Sequence, residues 1–264
     1  MAKPDRLDRK KIAKAIPAHP WLSQLVLLDE VDSTNTYLKR LAAEGAPEGT
    51  AVLAERQTAG RGRLGRSFCS PAGGLYMSVL LRPTEPPDKL LHLTAAAAVG
   101  VLRSVREVCG LQTGIKWTND LVVGGRKLCG ILTERDSTGA VIFGVGINCN
   151  QTEFDPEIAD MATSIRLETG KAIDRNALAG QLIHMFFALS LTHQTHKENW
   201  LRRFREACIT VGQDVRLVRG DESRLAHADG IGENGELLVT YPDGTADIIS
   251  SGEVSVRGMY GYSE

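Results

Sequence analysis

The chain has 264 residues, 42% of them hydrophobic and 24% charged. Against a prior of about 150 residues per domain, that is one large domain or one plus a small one, with material for a real core; disordered, collagen-like and disulfide-scaffold classes are excluded. Lys and Arg total 31 against 32 Asp and Glu, a net charge of −1, whereas a protein that coats nucleic acid is normally far more basic.

The balance hides local asymmetry. Lys3, Arg6, Arg9, Lys10, Lys11 and Lys14 face only Asp5 and Asp8 in the first 14 residues. Residues 1–20 therefore read as a basic, solvated and partly flexible N-terminal segment. A second cluster, Arg61, Arg63 and Arg66, sits among glycines. The 5 cysteines form no C-x-x-C pair and fit reduced structural thiols, with neither a disulfide framework nor a zinc site. No apolar run reaches the ~18 residues of a membrane span, and the charged start lacks a signal-peptide core. A cytoplasmic, soluble product is expected.

Gln24–Leu28 reads as the first strand. Asp32, Ser33 and Thr34 are N-cap candidates for a helix over Asn35–Glu44, stopped by Gly45. A short strand at Ala51–Glu55 leads into a Gly/Arg loop from Gln57 to Gly74, and Leu75–Arg82 is the next strand. After a turn with Pro83, Pro86 and Pro87, Asp88 can cap a long helix to about Cys109, whose Ala95–Ala98 run suits close packing on a sheet. Strands follow at Thr113–Trp117, Asp120–Val123 and Lys127–Glu134, the last two joined at Gly124-Gly125, a tight hairpin signal. Val141–Asn148 is a further strand, and helices are expected at Asp174–Leu191 and Glu198–Cys208. Short hairpin connections argue for a mixed sheet in an α/β (α+β) domain over residues 21–210. Residues 211–264 change character: five short strands with Gly and Asp turns suggest a small SH3-like barrel.

Gly60-Arg61-Gly62-Arg63-Leu64-Gly65 matches the dinucleotide-binding G-x-G-x-x-G and follows a strand. It fails on context, because that fingerprint opens a helix whose N-terminus holds the pyrophosphate, and Phe68-Cys69-Ser70-Pro71 cannot continue as one. Extended to Arg66-Ser67 it resembles a P-loop with Arg in place of Lys, and fails for the same reason. A plain surface loop remains open. Whichever holds, glycines let backbone fold closely around a ligand, and arginines bind anions bidentately. Lys116-Trp117-Thr118-Asn119-Asp120 is either a hairpin with an incidental lysine or a second cationic element. Asp32-Ser33-Thr34-Asn35 is a helix cap at least, and Gly144-Val145-Gly146-Ile147-Asn148 a strand end with glycines.

Together and in this order, these elements resemble the biotin protein ligase family, in its form without an N-terminal DNA-binding domain. The resemblance rests on Asp32–Asn35, Gln57 with Gly60–Arg66, Lys116–Asp120, Lys127–Glu134, Gly144–Asn148 and the tail Ser251–Arg257. The five motifs before the tail, taken in sequence, are specific where each alone is weak. Thr118, Leu64 and Cys129 depart from the family's commonest pattern, and Phe68 stands where a Trp can lie beside adenine.

The resemblance implies a biotin/lipoate ligase-type mixed sheet with an SH3-like C-terminal domain, using biotin, ATP and Mg²⁺. Biotin is activated as biotinyl-5′-AMP and passed to a lysine of a biotin carboxyl carrier domain. It assigns Lys116, Arg61 and Arg63 to catalysis. Biotin is expected on Ser33, Thr34, Asn35, Gln57, Gly60, Arg61, Gly62, Arg63 and Lys116. The nucleotide is expected on Arg63, Arg66, Phe68, Asn119, Asp120 and Asn148, with Mg²⁺ held mainly by phosphates. Lipoate ligation is the nearest alternative, disfavoured by the Lys116–Asp120 element and the barrel-like tail. A nucleic-acid binder or repressor is disfavoured because only about 20 residues precede the first strand, too few for a recognition-helix module. Neither DNA nor a membrane is an expected partner; exposed strands of the sheet would support a homodimer.

Overall fold

The computed structural model describes residues 6–84, 91–219, 222–250 and 253–256. Its first element corrects the expectation of a solvated start. Helix α1 (Arg9–Ala15) is capped by Asp8, whose Oδ1 accepts from the Lys11 amide at 2.9 Å. Leu7, Ile12 and Ile16 are buried while Lys10, Lys11 and Lys14 remain exposed. The basic residues dominate the composition of this segment, but its three spaced apolar residues form a stripe that docks on the body. Residues 1–5 lie outside the described residues.

Strands β1 (Leu25–Val31), β2 (Ala51–Gln57), β3 (Leu75–Leu81), β4 (Gly114–Lys116), β5 (Asp120–Val123), β6 (Arg126–Arg135) and β7 (Val141–Ile147) form one sheet in the order β1-β2-β3-β7-β6-β5-β4. Only β1 and β2 run parallel; the other pairs are antiparallel, so the sheet is mixed as its short connections imply. β1 runs on to Val31 through charged Asp29 and Glu30, because an edge strand tolerates solvated side chains while its backbone pairs, here Glu30 with Arg56. Gly124 and Gly125 turn the β5–β6 hairpin with φ of 55° and 78°, angles that a side chain would oppose.

The two faces of this sheet differ. One carries Leu53, Met77, Val79, Phe143 and Val145 into the main core, covered by α3 (Leu91–Cys109) and α5 (Arg175–Thr192). There Ala95–Ala98 are at most 2% exposed, the close packing expected of them. The expected Asp88 cap, with Pro86 and Pro87, lies outside the described residues. The other face is covered by α2 (Thr34–Ala43) only at one end, where Leu38 and Ala42 pack on Val52, Leu80 and Ile142. Beyond α2 that face carries mostly small or polar residues, and there the cavity opens.

Two more helices, α4 (Ile165–Thr169) and α6 (Lys197–Ala207), complete the α/β part. The short α4 is absent from the expected elements because a single turn leaves almost no periodic signal. A second, antiparallel sheet follows, with β8 (Asp214–Arg219), β9 (Glu222–Ile231), β10 (Leu237–Thr240), β11 (Ala246–Ile249) and β12 (Glu253–Val256) in the order β11-β10-β9-β8-β12. Among the described residues no helix is long and apolar enough to cross a membrane.

Candidate active site

Cross-strand register places the site. Tyr76, Gly146, Gly130, Asp120 and Lys116 lie opposite one another in a single row across β3, β7, β6, β5 and β4. The next row holds Ser78, Gly144 and Leu132. Glycines in the middle of both rows leave a depression, and a cavity of about 160 Å³ lies over it.

One wall is a buried hydrogen-bonded chain. Ser33 caps α2, accepting from the Thr36 amide at 3.4 Å, so the helix begins with Thr34 and Asn35 facing the sheet. Gln57, at the end of β2, accepts from the Thr34 amide at 2.8 Å and donates to Ser70 Oγ at 2.8 Å. Ser78 Oγ lies 2.7 Å from Thr34 Oγ1 and 2.6 Å from Asn35 Oδ1. Asn35 Nδ2 in turn donates to Glu134 Oε2 at 2.9 Å. A carbonyl oxygen has no proton to give, so the Asn35 oxygen accepts from Ser78, and the Gln57 oxygen accepts from the Thr34 amide and, at 3.1 Å, from the Thr34 hydroxyl.

Glu134 ends this chain among cations. Lys39 Nζ lies 2.6 Å from its Oε1 and Arg61 Nη2 3.4 Å from the same oxygen. Burial pushes the Glu134 carboxyl up, but the Lys39 and Asn35 hydrogen bonds and the charges of Lys39 and Arg61 outweigh it and hold the pKa below the usual value.

The opposite wall is cationic. Lys116 ends β4 and is 5% exposed. The Gly/Arg loop folds over it as a compact turn: the Gly62 amide donates to the Arg66 carbonyl at 2.7 Å, and Arg61 bridges to Ser67. Arg63 Nη1 donates to Asn119 Oδ1 at 3.0 Å, and Asn119 Nδ2 donates to the Ile131 carbonyl at 2.7 Å. Leu64, at the tip, has φ of 54° and is 70% exposed. The Phe68 ring rests on the glycine floor, where a Cβ on Gly146 would come within 2.5 Å of its Cε1 and one on Gly130 within 3.1 Å of its Cε2. Lys127 Nζ sits 5.7 Å from the Phe68 centroid and 2.9 Å from Asp120 Oδ1.

Of the residues singled out in the sequence, Ser33, Thr34, Asn35, Gln57, Arg61, Gly62, Arg63, Arg66, Phe68, Lys116, Asn119 and Asp120 all line this cavity. Gly60 and Asn148 do not. The Gly60 carbonyl accepts from the Phe68 amide at 2.8 Å, shaping the loop from behind. Asn148 Nδ2 donates to the Thr163 carbonyl at 3.0 Å, tying the segment before α4 to the sheet. Ser78, Lys127 and Glu134 belong to the site without having been assigned a role in it. Ser78 announces itself as the one small polar residue inside the strand Leu75–Leu81, whose other hydroxyl, on Tyr76, donates to the Pro71 carbonyl at 2.7 Å. Lys127 reaches the cavity face through a register shift between Leu121 and Val122. Among the described residues no group of three or more His, Cys, Asp or Glu side chains could hold a metal ion.

The arrangement is built to bring anions together beside a neutral, directional hydrogen-bonding pocket. Comparison with known proteins points the same way. The family described as "Biotin/lipoate A/B protein ligase family" matches residues 27–151. The bifunctional ligase/repressor BirA of Bacillus subtilis is 35% identical over 257 residues, covering 94% of this chain and 79% of that protein. The biotin–[acetyl-CoA-carboxylase] ligase of Mycobacterium tuberculosis is 34% identical over 259 residues, covering 94% of this chain and 95% of its own. The structure of the Aquifex aeolicus biotin protein ligase in complex with biotin and ATP superposes with a TM-score of 0.78 at 34% identity, covering 88% of this chain and 98% of that one. This chain belongs to the biotin protein ligases of the biotin/lipoate A/B protein ligase family.

Proposed function

We propose that the protein uses ATP to activate biotin as biotinyl-5′-AMP and transfers it to a lysine of a biotin carboxyl carrier domain. The observation that carries this reading is one cavity lined by two chemically distinct sets of groups. Lys116, Arg61, Arg63 and Arg66 supply positive charge, and Ser33, Thr34, Asn35 and Gln57 supply neutral hydrogen-bonding groups.

In the first step the biotin carboxylate attacks the α-phosphorus of ATP and pyrophosphate leaves. Two anions must meet, so the barrier is largely electrostatic. Lys116 bridges the carboxylate and α-phosphate oxygens, and Arg66 contacts the triphosphate. Arg61 and Arg63 close over the adenylate and keep water from the mixed anhydride. Phe68, on its glycine floor, offers a face to adenine, and Asn119 and Asp120 border the nucleotide. In the second step the carrier amine attacks the acyl carbon and AMP leaves. Ser33, Thr34 and Gln57 hold the ureido ring, and a pocket of paired polar groups rejects analogues that leave them unpaired.

The donor set does not fit a resident metal cage, since Asp120 is already paired with Lys127. A Mg²⁺ accompanying ATP would take its ligands from phosphates and water. We read the division near residue 210 as a domain boundary and the antiparallel C-terminal sheet as SH3-like.

Incubation with ATP, Mg²⁺, labelled biotin and a carrier domain tests the reading. Pyrophosphate release and label on one carrier lysine are expected. Thermal stabilisation by lipoate with ATP, and none by biotin with ATP, would replace it with lipoate ligation.

A further inference from the structure

Lys116 stands on an edge strand of only three residues, a weak platform for a group whose aim decides the reaction. What holds it comes from the other end of the chain. The Ile209 amide donates to the Ile115 carbonyl at 3.0 Å, and the Trp117 amide donates to Thr210 Oγ1 at 2.9 Å. The segment leaving α6 thus covers the outer edge of β4. The Trp117 side chain goes further: it is 4% exposed and its Nε1 donates to the Gly235 carbonyl at 2.9 Å.

Gly235 lies in the β9–β10 turn, which is itself braced. The Gly232 amide donates to the Glu236 carbonyl at 2.8 Å, and Asn234 Nδ2 donates to Glu236 Oε1 at 2.8 Å. From α6, Lys197 Nζ donates to Asn234 Oδ1 at 2.6 Å and Arg205 Nε to the Ile231 carbonyl at 3.2 Å. An indole N–H is a donor only, and inside the protein it holds its acceptor strongly.

We propose that Trp117 is a positioning residue for Lys116, and that the β9–β10 turn, through the Gly235 carbonyl, is a working part of the active site. The indole fixes the residue next to Lys116 and, two positions further on, the carboxamide of Asn119 that meets Arg63. The C-terminal sheet thereby sets the angle of the lysine and the loop contact together. The inference rests on the ligase reading, since it concerns the step at which Lys116 acts.

The test is steady-state pyrophosphate release from ATP with biotin, on the full chain. Trp117→Phe keeps the apolar bulk and removes only the donor. Its kcat should fall at least about tenfold, because misplacement of a reacting group by about 1 Å is costly. The KM for biotin, whose pocket lies on the α2 side, should stay within about twofold and the Tm within a few degrees. A second variant, Lys197→Ala with Arg205→Ala, loosens the turn from α6 without altering β4. It should lower kcat in the same direction by a smaller factor, and it decides the matter if Trp117→Phe does not fold. Parental kcat in both variants overturns the proposal. So does a kcat that falls only alongside a lower Tm and a raised biotin KM. A parental chain that releases no pyrophosphate with biotin and ATP overturns the ligase reading instead.

Discussion

Asn35 donates from Nδ2 to Glu134 Oε2 at 2.9 Å, and that bond decides which way the Asn35 carboxamide faces. With its nitrogen committed to Glu134, its oxygen must turn to Ser78, so a carboxylate at the end of β6 orients the helix N-terminus that packs against it. Glu134→Gln removes the charge that Lys39 and Arg61 share, leaving the shape. A carboxylate whose folded pKa is depressed contributes stability above its unfolded value of 4.5 and loses that contribution as pH falls through the folded value. The variant should therefore be less stable than the parent by about 1–2 kcal/mol near neutrality, with the gap closing in acid. Urea unfolding at the two pH values checks this; a gap that does not change with pH would count against it.

Ser78→Ala deletes the hydroxyl joining Thr34 to Asn35 in a strand with no solvent exposure at that position. The Asn35 oxygen loses its donor inside the protein, a loss of about 1–3 kcal/mol. Unfolding free energy should fall by that amount, and the Tm shift produced by saturating biotin should shrink with it. A variant of parental stability would mean that water replaces the hydroxyl at once.

Much of this was legible in the chain itself, and what was not has physical causes. Strand ends and tight loops carry their chemistry on consecutive residues, so Lys116, Arg61 and Arg63 stand out before any fold is known, whereas Gln57 takes its role only from the family resemblance. Ser78 and Glu134 act from inside strands, where alternation predicts burial but not the partner across the sheet. The Trp117–Gly235 bond joins residues 118 positions apart, and no local pattern foretells such a pair. The docking of α1 is written in Leu7, Ile12 and Ile16, an apolar spacing that the basic residues around it outnumber.

Gly146→Ala tests the glycine floor. The added methyl would stand 2.5 Å from Phe68 Cε1 and 2.8 Å from its Cζ, so the ring must move. Stacking of a base on an aromatic ring is worth about 1–3 kcal/mol, so the KM for ATP should rise about tenfold. Under the ligase reading the biotin KM should hold, because the residues proposed for the ureido ring lie a row away around Ser78. Equal rises in both constants would place biotin, not adenine, against Phe68.

Arg63 and Asn119 form a testable pair, with Nη1 donating to Oδ1 at 3.0 Å across the cavity mouth. The Ile131 carbonyl holds the Asn119 amide at 2.7 Å, so its oxygen is aimed in advance and Arg63 spends less entropy reaching it. Under the ligase reading this contact keeps the loop closed over the adenylate. Arg63→Gly and Asn119→Ala should each let biotinyl-AMP escape, labelling bystander lysines on a protein that is no carrier. Because both open the same contact, the double variant should leak little more than the worse single one, with a coupling of about 0.5–3 kcal/mol. Quantified label on the bystander, set against pyrophosphate release, gives the cycle. Strictly additive leakage would show that the two residues act on the adenylate separately and that their hydrogen bond is incidental.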